Sequence, residues 1–177
     1  VAPGPDDHPG EGFAALVAPL FEDAPRFIAR LGVARPFGSW ASLFESAEAI
    51  ALGMPPDEQL ELIDAHPRIG APPGSVSALS FVEQGYGTEE AGAAAEAERA
   101  RVQASLDELN ARYEARFGFR FVVFVAGRPR AAIVPLMEAA LEADRAAEIE
   151  RALRDVVAIA RARAVALGLA QPEEVDP

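Results

Sequence analysis

Apolar residues recur along most of this chain at helical spacing. Phe13, Leu16, Val17, Leu20 and Phe21 form one helical stripe, which Asp23-Ala24-Pro25 should end. A weaker helix holds Phe27, Ile28 and Leu31 and stops at Gly32. Beyond the turn Arg35-Pro36-Phe37-Gly38, Ser39 is placed to cap a helix carrying Leu43, Phe44, Ala47 and Ile50, closed by Gly53. Pro55-Pro56-Asp57-Glu58 opens a short helix with Leu60, Leu62 and Ile63 inward, which runs into Asp64-Ala65-His66-Pro67. A long helix, with Thr88 as its cap, carries Val102, Leu106, Leu109, Tyr113 and Phe117 and breaks at Gly118.

Residues 119–125 are the one strand-like run, β-branched or aromatic apart from Arg120. With no second strand to pair with, this run reads as an edge strand or as an extended segment buried between helices. A further helix holds Ile133, Val134, Leu136, Met137, Ala140 and Leu141, with Pro135 tolerated only in its first turn. Asp144 caps the last helix, which runs to about Gly168. The pattern predicts an all-α, single-domain bundle of about seven or eight helices with one short extended segment. Residues 1–10 and 170–177, rich in proline and acid, read as tails around a domain spanning 11–169.

The last helix contains an arginine in an unexpected place. With Val156 at zero and about 100° per residue, Ile149, Ala152, Ala160 and Leu167 fall within about 40° of zero, and Arg163 lands near −20°. Arg151, Arg154 and Arg161 land about 140° to 160° away, on the wet face. An inward guanidinium keeps its charge and needs a carboxylate, an anion or carbonyls around it. Arg163 therefore either pairs with a core acid or snorkels to solvent at the helix end, or it serves as an anion clamp facing a pocket.

Composition narrows the chemistry. The 177 residues are half hydrophobic, enough to bury a core, and the net charge of −12 argues against nucleic acid or an anionic membrane as partner. No cysteine and only two histidines disfavour a thiolate or conventional zinc site, while a carboxylate magnesium site stays open. No apolar run approaches the roughly 18 residues of a membrane span. With no signal-peptide character either, the expected compartment is the cytoplasm.

The remaining candidates cluster in one loop. His66-Pro67-Arg68-Ile69-Gly70 is a shaped segment in which proline aims the histidine at the helix exit. An imidazole, with an ordinary pKa near 6.5, suits proton transfer. The loop beyond it is long for a compact domain, and such loops are often functional. Ser80-x-x-Glu83 reads as a capping box, with Ser80 at the N-cap and Glu83 at N3; Gln84 lies outside that box. Trp40 and Tyr113 fit core positions.

These residues carry a resemblance. Leu20-Phe21-Glu22 with Pro25, Arg35-Pro36-Phe37, Ala65-His66-Pro67-Arg68-Ile69-Gly70, Ser80-x-x-Glu83-Gln84, Leu109-Asn110-x-x-Tyr113 with Phe117-Gly118-Phe119-x-Phe121, and the Ile159…Arg163 helix end stand in order. In that order they resemble the 2-oxo-4-hydroxy-4-carboxy-5-ureidoimidazoline (OHCU) decarboxylases of urate breakdown. The resemblance implies an all-helical, homodimeric enzyme without a cofactor or metal, acting on a small ureidoimidazoline to give (S)-allantoin. It implies catalytic roles for His66, Glu83 and Arg163. It also implies substrate contacts from Pro67, Ser80 and Gln84 and from the segment Phe121, Val122, Val123, Phe124 and Val125. The chain departs from the family at Arg26, where tryptophan is frequent, at Ala162 and Ala164 around Arg163, and at Ala140-Leu141-Glu142-Ala143. A non-catalytic helical module binding a ureide or a partner protein is the alternative, and it would not need His66.

Overall fold

The computed structural model describes residues 4–87 and 92–172. Among them are eight α-helices and two short 3-10 turns, with no strand, as the periodicity predicts. Contacts divide the chain into two compact units, residues 1–65 with 150–177, and residues 66–149.

In the first unit, α1 (Gly10–Val17) is followed by a 3-10 turn (Ala18–Phe21), then α2 (Pro25–Ala34), α3 (Trp40–Gly53) and α4 (Pro56–Asp64). The stripe expected as one helix is thus split. Pro19 has no N–H to continue the α ladder, and the turn tightens there before Glu22 and Asp23 take positive φ. Phe13, Val17, Leu20 and Phe21 remain buried through the split. Helix α2 runs through Gly32 to Ala34, beyond the expected stop, and buries Phe27, Ile28 and Leu31. Ser39 caps α3 as expected, its side chain accepting the Ser42 N–H at 3.1 Å. The prediction for α4 is met for Leu62 and Ile63, which are buried, whereas Leu60 is half-buried.

Residues 4–9, read above as tail, are instead tied down. The Asp6 carboxylate accepts the Phe37 and Gly38 N–H groups at 2.8 and 2.6 Å. Burial works to raise the Asp6 carboxyl, but those two N–H groups and Arg35 outweigh it and hold it below the ordinary value.

Arg26, the departure noted in the sequence, ties α2 to α4 by pairing with Asp57 and Glu61; Arg30 beside it pairs with Glu58. The hydrogen bond from Arg26 holds Asp57 below the ordinary carboxylate range, and that from Arg30 does the same for Glu58. A depressed folded pKa contributes stability above the unfolded value and loses it as pH falls through the folded one. We therefore expect this α2–α4 bracket to be complete at neutral pH and to come apart only as pH falls below the ordinary carboxylate range, through the lowered folded values. NMR titration of the side-chain carboxyls checks this; ordinary midpoints for Asp57 and Glu58 would remove the bracket.

The second unit holds a 3-10 turn (Pro73–Ser75), α5 (Ala78–Glu83), α6 (Ala93–Phe117), α7 (Arg130–Ala140) and the start of α8 (Arg145–Ala166). The expected cap Thr88 lies outside the described residues. Helix α6 buries Leu106, Leu109, Asn110, Tyr113 and Phe117, and ends at Gly118 in the left-handed region. Tyr113 packs edge-on against Phe119 and Phe121 at the start of the extended segment. That segment is irregular backbone, neither helix nor strand. Pro135 stands in the second turn of α7, not the first. The N–H it lacks would have bonded toward Ala131, and both residues are exposed, so water can serve the carbonyl instead. Asp144 caps α8 as expected, accepting the Ala147 N–H at 2.9 Å.

Candidate active site

Helix α4 ends at Asp64, and His66 follows in a bend, 2% exposed. From there to Ala71 the backbone is held by side chains. The His66 carbonyl accepts from Arg120 Nη1 at 3.2 Å, and the Arg68 carbonyl from Gln84 Nε2 at 3.2 Å. The Ile69 carbonyl accepts from Asn110 Nδ2 at 2.9 Å, and the Gly70 carbonyl from Gln103 Nε2 at 2.8 Å. The Tyr86 hydroxyl donates to the Ala71 carbonyl at 2.5 Å. Outside this backbone, the Arg68 side chain grips both Glu114 oxygens at 2.6 and 2.5 Å. The loop is therefore held along its backbone, in keeping with the shaped segment read from the sequence.

Gly70 has φ +80°, and a Cβ there would lie 3.1 Å from Gln103 Nε2 and 3.2 Å from Leu106 Cδ1. The left-handed backbone favours glycine, and a Cβ would in addition press on Gln103 and Leu106 of α6, which would have to give by a few tenths of an ångström.

The capping box does not form. Ser77 is the N-cap of α5, accepting the Ser80 N–H at 3.2 Å, and Ser80 sits at N3, 3% exposed. Glu83 is the last helical residue, half-buried, and Gln84 is the C-cap, 6% exposed. The spacing Ser77-x-x-Ser80 repeats that of Ser80-x-x-Glu83. The helix starts at the earlier serine, which leaves Ser80 facing the interior.

Two clefts flank this region. One, of about 570 Å³, is lined by Pro67, Gly70, Asp107, Asn110 and Arg120 among others. The other, of about 610 Å³, has Glu83 and Gln84 in its lining together with Arg99, Arg128 and Arg130. Of the extended segment, Phe121, Val122, Val123 and Val125 are buried and Phe124 is half-buried. Thus His66, Pro67, Ser80, Glu83, Gln84 and residues 121–125 all belong to the second unit.

Arg163 belongs to the first unit. It is buried, as its position in the stripe requires, at 2% exposure. Nη1 donates to the Pro19 and Leu20 carbonyls at 3.1 and 3.4 Å, and Nη2 to Glu22 Oε1 at 2.7 Å. Of the expected alternatives, the pairing with a core acid is therefore realised. Among the described residues, no group of three or more His, Cys, Asp or Glu is placed to hold a metal ion.

Sequence reasoning gave no role to Asn110, Arg120, Gln103 or Tyr86. For Asn110 the signal was present: a polar residue on the buried stripe between Leu106 and Tyr113, the same anomaly that exposed Arg163.

The OHCU decarboxylase family model matches residues 7–165, nearly the whole described chain. The chain belongs to the OHCU decarboxylase family. A uric acid degradation bifunctional protein of Bacillus subtilis is 33% identical over 150 residues, covering 81% of this chain and 28% of that protein. The chain thus spans less than a third of the length of the bifunctional relatives it matches. A 2-oxo-4-hydroxy-4-carboxy-5-ureidoimidazoline decarboxylase of Haloferax volcanii is 27% identical, covering 86% of this chain and 87% of that one. The crystal structure of an OHCU decarboxylase in the presence of (S)-allantoin superposes with a TM-score of 0.63 at 23% identity, over 81% of this chain and 91% of that chain. At that identity the likeness shows that the OHCU decarboxylase fold is shared.

Proposed function

We propose that this protein decarboxylates 2-oxo-4-hydroxy-4-carboxy-5-ureidoimidazoline to (S)-allantoin. The observation that supports this most is the family match across residues 7–165, which includes the clamped loop carrying His66. The bond between the ring carbon and its carboxylate breaks, CO2 leaves, and the electron pair passes into the substrate's own C=N, whose nitrogen takes up a proton. The hydroxyl-bearing carbon becomes a carbonyl as its proton departs. A proton then adds to one face of the ureido-bearing carbon and sets its configuration.

In this reading His66 handles the proton at the hydroxyl or ring. Glu83 sets the charge state of that group or holds ureido N–H groups. Pro67, Ser80, Gln84 and the backbone of 121–125 contact the substrate. Arg163 grips an anionic oxygen of the substrate. That grip speeds the reaction only so far as it is stronger in the transition state than in the ground state. A homodimer, and a cytoplasmic location, belong to the same proposal. No helix among the described residues is long and apolar enough to cross a membrane.

The test is circular dichroism during urate oxidation, with urate oxidase and the preceding hydrolase present, with and without this protein. Rapid appearance of optically active allantoin is expected. Slow racemic product, identical in both reactions, would overturn the reading in favour of a non-catalytic module.

A further inference from the structure

Three side chains of α6 hold three consecutive residues of the loop after His66. Glu114 pairs with the Arg68 side chain at 2.6 and 2.5 Å, Asn110 Nδ2 donates to the Ile69 carbonyl at 2.9 Å, and Gln103 Nε2 donates to the Gly70 carbonyl at 2.8 Å. Spacings of seven and four residues put the three on one helical face. They grip the loop in reverse order, so loop and helix run antiparallel in a fixed register. Between Asn110 and Glu114 stands Tyr113, whose ring meets Phe119 and Phe121 edge-on. One helix thus mounts both the loop that carries His66 and the start of the extended segment.

Asn110 is the anomaly in this row. It is 4% exposed, on a stripe that packing otherwise fills with Leu106, Leu109 and Tyr113. Among the described residues its Oδ1 has no hydrogen-bond partner. A buried acceptor left unmatched is a cost to stability. Leucine has the same branched shape and would fill the position without that orphan. What the amide adds over leucine is one bond, the one to the Ile69 carbonyl. That carbonyl lies three residues beyond His66, and Pro67, whose ring fixes φ, stands between them.

We infer that Asn110 is a positioning residue for the reaction: from α6 it sets the backbone at Ile69, and so the place of His66 relative to the extended segment that Tyr113 holds. This rests on the reading of His66 as the proton-handling group. A misplacement of about 1 Å at a reacting group can cost on the order of 10²-fold in rate.

The experiment replaces Asn110 by leucine, which removes the bond and the orphan acceptor together. We expect kcat to fall by about 10- to 100-fold with KM within about threefold of its original value. The midpoint of urea unfolding should stay close to that of the unsubstituted protein. Unchanged kcat would overturn the inference, and so would a loss of activity carried by KM alone.

If Asn110→Leu fails to fold, Asn110→Asp decides. The carboxylate keeps the shape but cannot donate to the carbonyl; the protonated acid can. Its rate, divided by that of the unsubstituted protein at the same pH, should be low at neutral pH and rise as pH falls. A ratio that stays flat removes the positioning role. An inactive unsubstituted protein would sink the functional reading and this inference with it. An active one, unimpaired by Asn110→Leu, would sink the inference alone.

Discussion

Replacing His66 with alanine is expected to slow the decarboxylation by about 10²- to 10⁴-fold, the usual contribution of a positioned acid–base group. The helical signal in circular dichroism should stay unchanged. His66 is buried, so the alanine variant also opens a cavity, and a modest loss of stability accompanies the loss of rate. His66→Gln separates the two effects, because its side chain fills most of the space and lacks the imidazole. Both variants should be slow; only the alanine variant should also be clearly less stable. The backbone carbonyls of residues 66, 68 and 69 accept from Arg120, Gln84 and Asn110, and these bonds do not involve the imidazole. The loop should therefore keep its shape in either variant, and the rate should report the ring alone. A His66→Gln protein with a near-normal rate of optically active product would remove the histidine from the mechanism.

What the sequence reveals here depends on how local the determining interaction is. Ser39 is legible as a cap because its partner is three residues away and the apolar pattern starts beside it. Ser77 is not marked by the pattern, because the serine that precedes an acidic residue at capping-box spacing is Ser80, three residues on. Only the burial of Ser80 decides between them. On α8 the stripe correctly turns Ala152, Val156, Ala160 and Arg163 inward. It fails at both ends. The helix stops at Ala166, so Leu167 leaves the face and is 47% exposed. At the other end Glu148 is buried and Ile149 only half-buried, because the Tyr113 hydroxyl, 35 residues earlier, donates to Glu148 at 2.7 Å. The loop at 66–71 is legible as a shaped segment from its proline and glycine. Its rigidity is not, since the donors that hold it come from positions as far on as Arg120. Asn110 and Arg163 show the transferable signal, a polar residue where the helical period demands an apolar one.

The second large effect is expected at Arg163. Replacing it with methionine leaves the Glu22 carboxylate without its guanidinium and takes a donor from the Pro19 and Leu20 carbonyls. Glu22 keeps only 12% of its side-chain exposure, so water compensates poorly. Breaking a buried pair from one side costs about 3–5 kcal/mol, which should appear as a lower midpoint in urea unfolding. Glu22→Gln should cost less, because the neutral amide still accepts a hydrogen bond from Arg163. In the double variant Glu22→Gln/Arg163→Met the uncompensated charge is gone, and the loss should be clearly smaller than the sum of the two single losses. Strict additivity would mean that the pair carries no coupling and that Arg163 is held by the carbonyls alone. The same double variant also reads the proposed contact with substrate. With Glu22 neutralised and the fold largely restored, a rate that stays far below that of Glu22→Gln assigns the missing guanidinium a part in the chemistry. A rate equal to that of Glu22→Gln would confine Arg163 to the turn around Glu22.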